Sequence, residues 1–64
     1  MKINVIFYQD YYIPEYCNVL GVFKHKSKAK LWLIDNGWYF NSELCYWYSE
    51  NETGYAEILE KELQ

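Results

Sequence analysis

One histidine, His25, and two cysteines, Cys17 and Cys45, are the only soft metal ligands and strong nucleophiles in this 64-residue chain. A structural zinc site takes about four such ligands, so three fall short. A Cys–His nucleophilic pair would need His25 beside a thiol. His25 lies instead inside a lysine run, Lys24–Lys30, and no spacing links it to either cysteine. Gly21, Gly37 and Gly54 stand apart, so there is no glycine-rich loop to cradle a phosphate. Acid–base catalysis needs groups held in a water-poor cleft, and the acids cluster toward a polar, exposed stretch. The expectation is a protein that is not an enzyme and holds no metal and no cofactor.

The remaining chemistry is recognition. Fourteen residues are aromatic, including Tyr8, Tyr16, Trp32 and Tyr55. A core of this size cannot hide them all. Tyrosine and tryptophan tolerate partial exposure because each joins an apolar body to a polar tip, and they anchor protein interfaces. The expected contact residues are Tyr11, Tyr12, Trp38, Tyr39, Tyr46, Trp47 and Tyr48. An acidic rim of Glu50, Glu52, Glu57 and Glu60 would orient the partner and speed its approach. Residues 1–34 carry a net charge of +3 and residues 35–64 carry −6, so a basic patch and an acidic end are expected.

Two other uses of the same residues follow. Aromatics on an open sheet could stack the bases of single-stranded nucleic acid while the Lys24–Lys30 run holds phosphates. The net charge of −3 and the absence of arginine weigh against that reading. The glutamates at 43, 50, 52, 57, 60 and 62 could imitate phosphates, but six acids are few for a mimic, and a charged hairpin face also blocks edge pairing.

The elements that must position these residues read as follows. Lys2–Tyr8 alternates at period two, with Ile3, Val5 and Phe7 on one face and Asn4, Ile6 and Tyr8 on the other. Pro14 makes residues 9–15 a loop whose Tyr11, Tyr12 and Ile13 suit a contact surface. Tyr16–Lys24 is a second strand, antiparallel to the first, and Gly21 within it suggests a bulge. The period then changes. Ser27 reads as an N-cap, Ala29, Trp32 and Leu33 share a face, and Gly37 reads as a stop, so the spacing predicts a helix over 27–36 with Trp32 in the core. Residues 38–43 read as a connection, 44–49 as a third strand, 50–54 as a polar turn and 55–63 as a fourth strand hairpinned to it, with a helix that aligns Ala56, Leu59 and Leu63 as the alternative. The expected fold is one small α+β domain over 1–64: a four-stranded, mainly antiparallel sheet in the order β-β-α-β-β, with one helix on one face.

No apolar run approaches the roughly 18 residues of a membrane span. Met1–Tyr8 lacks the pattern of a secretory signal, so a cytoplasmic, reducing setting is expected, with Cys17 and Cys45 as free, buried thiols. Chains this short sit where burial barely exceeds chain entropy, and the uncovered sheet face leaves a homodimer open.

Read together, KINVIFY at 2–8, GVF at 21–23, SKAK at 27–30 and YAEILEKEL at 55–63 resemble the short accessory proteins of bacteriophages and prophages. The lysine-rich, tyrosine-rich, arginine-free composition is similar to that of low-GC Gram-positive hosts and their phages. The resemblance implies a small cytoplasmic protein that binds and inhibits or modulates a bacterial host protein, with an anti-defence, anti-CRISPR-like role as one form. It carries no catalytic residue over.

Overall fold

The computed structural model describes residues 1–63. Five strands and one helix occur in the order β1 (Lys2–Asp10), β2 (Cys17–Phe23), α1 (Lys26–Asp35), β3 (Tyr39–Asn41), β4 (Tyr46–Tyr48) and β5 (Gly54–Glu62). All strand pairs are antiparallel, and the sheet order is β2-β1-β5-β4-β3.

The α+β class with one helix therefore stands, but the sheet has five strands where four were expected. The extra strand is β3, inside the stretch read as a connection. Its sequence, Tyr-Phe-Asn, shows no polar alternation because it is a short edge strand with rings on both faces. The third expected strand shrinks to Tyr46–Tyr48 because Ser42–Cys45 forms the turn from β3. Asn41 Oδ1 holds that turn by accepting the N–H groups of Glu43 and Leu44 at 3.0 and 3.1 Å.

Alternation in β1 sends Asn4, Ile6, Tyr8 and Asp10 into the interior and leaves Ile3, Val5, Phe7 and Gln9 half-buried on the other side. The interior face meets α1 through Ala29 and Leu33, and Tyr8, Trp38, Trp47 and Ala56 complete the core. Ile6 and Leu33 are fully buried, and each such side chain stabilises the fold by about 1.5–3 kcal/mol. Trp32 is half-buried and packs on the edge of this cluster.

The bulge signalled by Gly21 lies opposite Ile6 and Phe7, where the β1–β2 register shifts. It resets the alternation of β2. Cys17 and Val19 stay on the open side, Leu20 and Phe23 pack on the core, and Val22 faces out again beside Val5.

The helix starts one residue earlier than expected. His25, not Ser27, is the N-cap, and it makes no side-chain capping bond. The link from β2 is only Lys24–His25, and the Asn4 side-chain amide donates to the Lys24 carbonyl at 3.3 Å. That anchor leaves no slack for a start at Ser27. The stop behaves as read. Gly37 adopts φ +85°, its N–H donates to Ile34 O at 3.2 Å, and Trp38 N–H donates to Leu33 O at 2.9 Å. This is a Schellman closure, and it aims Trp38 into the core.

Candidate functional site

The helix covers one face of the sheet, and no described element covers the other. Register fixes what lies on the open face. Tyr39 pairs with Tyr48, Tyr48 with Tyr55, and Tyr55 with Gln9. Alternation adds Tyr46 from β4. Tyr11, just beyond β1, joins them.

These five tyrosines form two touching groups, a triple and a pair, set side by side by the Tyr48–Tyr55 register. Tyr11 and Tyr55 have ring centroids 5.5 Å apart, Tyr55 and Tyr46 5.4 Å in an edge-to-face contact, and Tyr48 and Tyr39 5.7 Å. Such pairs stabilise by about 0.5–1.5 kcal/mol beyond their buried area. The platform is therefore held in shape before any partner arrives. Tyr11, Leu44, Tyr46, Tyr55 and Glu57 line a shallow groove of about 310 Å³ within it.

Asp10 holds one wall of this groove. Its Oδ1 accepts the N–H groups of Tyr12 and Ile13 at 2.8 and 3.0 Å, and its Oδ2 accepts the hydroxyls of Thr53 (2.6 Å) and Tyr8 (3.2 Å). Tyr11 N–H donates to Thr53 O at 3.0 Å. The Thr53 hydroxyl and then the Tyr12 N–H hold the Asp10 carboxyl below its ordinary value of 3.8. Loss of hydration, reinforced by Asp10, raises Tyr8. Tyr11 is pushed up to about 12, first by loss of hydration and next by the adjacent Tyr46 hydroxyl.

The expected contact residues separate into two groups. Tyr11, Tyr12, Tyr39 and Tyr48 are exposed and Tyr46 is half-buried, all at or near the open face. Trp38 and Trp47 are each only 7 % exposed and belong to the core. Tyr12 is 80 % exposed at the loop tip. The expected list lacked Tyr55 and Leu44. Tyr55 shares parity with Glu57 along β5, which was the available signal for it.

The acids do not gather. Glu50 and Glu52 lie in the β4–β5 turn, and Glu57 faces the open side. Glu60 lies across from Asn4 and pairs with Lys2 at 3.2 Å, while Glu62 pairs with the N-terminal amine at 3.4 Å. They are spread over both faces and both ends of β5 rather than set in a phosphate-like row.

The lysine run meets aromatics on the helix side. Lys26 and Lys30, one turn apart, flank a cleft of about 330 Å³ with Phe40, Cys45, Trp47 and Ile58. Phe40 and Trp47 are 5.2 Å apart there. Cys17 and Cys45 are free but exposed, contrary to the expectation of burial. Cys17 is the first residue of the edge strand β2, and the tight turn keeps Cys45 at the surface. No group of three or more His, Cys, Asp or Glu side chains suited to a metal occurs among the described residues. No helix among them is long and apolar enough to cross a membrane. Compared with protein-family models, with curated proteins and with solved structures, the chain matches none.

Proposed function

We propose that this protein is a docking module that binds another protein through its tyrosine platform and modulates that partner's activity. The observation that carries this reading is the neighbouring groups Tyr11–Tyr55–Tyr46 and Tyr48–Tyr39 on a sheet face that no described element covers. Rigid tyrosines give large contact area at low entropic cost, and interfaces concentrate their energy in such residues. Glu57 on the open face and Glu50 and Glu52 in the β4–β5 turn would bias orientation and approach. The resemblance of the composition and patterning to phage accessory proteins supports a bacterial host protein as the partner and the host cytoplasm as the setting, with inhibition of a defence protein as the most concrete form.

A second reading draws on the Lys26–Lys30 cleft. Two ammonium groups beside the exposed ring of Phe40 suit a single-stranded nucleic acid, with one base on the ring and phosphates on the lysines. With Trp47 buried, only one ring is free to stack, so this cleft offers less than the tyrosine platform.

A tagged pull-down from bacterial lysate, with and without nuclease, separates the two. The docking reading expects one dominant, nuclease-resistant protein that Tyr46→Ala loses and Lys26→Ala/Lys30→Ala retains. Recovery of nucleic acid that depends on Lys26 and Lys30 would overturn it in favour of the second reading.

A further inference from the structure

The open face has an aliphatic half as well as a tyrosine half. On β1, Val5 pairs with Val22 of β2 on one side and with Leu59 of β5 on the other. Val22–Val5–Leu59 is therefore a straight row across three strands. Ile3 and Phe7 lie one step above and below it on β1, and Lys61 and Glu57 do the same on β5. Val22 is 56 % exposed although it neighbours the centre of an apolar surface.

The charges on this half are equally ordered. Glu57 and Lys61 are the only ionised side chains that β1, β2 and β5 direct to the open side. They cancel, although the chain as a whole carries −3. They also stand at equal distances from Leu59.

We infer that the aliphatic half is the interface of a two-fold dimer, with the axis running along the Val22–Val5–Leu59 row. Rotation about that row stacks two sheets face to face, about 10 Å apart, with each strand antiparallel to its copy. It sets Ile3 against the partner's Phe7. It sets Glu57 against the partner's Lys61, twice by symmetry. Such self-complementarity is what an isologous contact requires. No other partner is needed to match the charges of this half.

The area sets the strength. At about 3.3 Å per residue and 4.8 Å between strands, β1, β2 and β5 span roughly 400 Å² of sheet per copy. The corrugation of the side chains raises the total over two copies to about 1,000 Å², the low end for specific association. The dimer is thus a concentration-dependent one. It leaves Tyr39, Tyr46 and Tyr48 outside the overlap but shares Glu57 with the tyrosine groove, so self-association of the chain alone is what separates it from the docking reading.

Light scattering on the full chain across a concentration series tests this. The mass should rise from 7.8 kDa toward twice that value, and Leu59→Glu should hold it at the monomer value with an unchanged circular dichroism spectrum. Glu57→Lys alone and Lys61→Glu alone should each weaken association at least tenfold, and the double exchange should restore it. A chain that stays monomeric at millimolar concentration, or a dimer that Leu59→Glu leaves intact, would overturn the dimer. A double exchange that fails to restore what the single changes remove would overturn the axis.

Discussion

The Thr53 hydroxyl donates to Asp10 Oδ2 at 2.6 Å and so joins the end of β1 to the turn that opens β5. The other oxygen of the same carboxyl accepts from Tyr12 and Ile13. One side chain therefore fixes both the loop that carries Tyr11 and the strand end that carries Tyr55.

This arrangement predicts a pH dependence. The folded Asp10 carboxyl titrates below its unfolded value of 3.8. Its contribution to stability is present above pH 3.8 and is lost as the pH falls through the lower folded value. Asp10→Asn should lower the unfolding midpoint at neutral pH and flatten the acid limb of the stability curve. Chemical denaturation at pH 7 and at pH 2–3 checks both effects.

Gly54 pairs with Asp10 and lies under Tyr8. A β-carbon there would stand 2.7 Å from the Tyr8 ring and would collide with the Gln9 carbonyl. The second contact is backbone in a central ladder and cannot move aside. Gly54→Ala should destabilise by about 3 kcal/mol, read from denaturant unfolding.

Cys45 holds φ +56°, a conformation costly for any residue with a β-carbon. It is exposed and closes the β3–β4 turn. Cys45→Gly should raise stability by up to about 1 kcal/mol, since relief of strain exceeds the added chain entropy. A lower unfolding midpoint for this variant would contradict the turn geometry.

Much of this fold was legible in the chain because local signals agreed. Period-two alternation marked β1, the polar turn at 50–54 tipped β5 from helix to strand, Gly21 marked the bulge, and Gly37 marked the end of the helix. The face that the helix chooses was harder to read, because both faces of β1 are apolar. Ala29, Gly54 and Ala56 supplied the missing clue: small residues on one side make room for the helix and for Tyr8, Trp38 and Trp47. The two tryptophans were expected at the surface because their burial depends on pairing across the sheet, which no local pattern reports. The tyrosine platform was half legible. Tyr11, Tyr39, Tyr46 and Tyr48 were expected contacts, but their union depends on Tyr55 and on the edge strand β3.

Tyr11 provides a spectroscopic handle on the platform. Its hydroxyl is pushed up to about 12 from 10.0. A raised value means that the folded state keeps a proton the unfolded chain releases, so stability falls as the pH rises from 10 toward 12. Alkaline titration of tyrosinate absorbance should show a late fraction from Tyr8 and Tyr11, and Tyr46→Phe should bring the Tyr11 part of it down.

The central claim is that the tyrosine platform, not the lysine cleft, makes the functional contact. Its most direct test is the affinity of the captured partner for the wild type, Tyr46→Ala and Lys26→Ala/Lys30→Ala, measured at low and high salt. The platform account predicts a loss of about 2 kcal/mol, roughly thirtyfold, for Tyr46→Ala, with weak salt dependence and little effect from the lysine changes. Full affinity in Tyr46→Ala, together with binding that collapses in high salt or without Lys26 and Lys30, would contradict it.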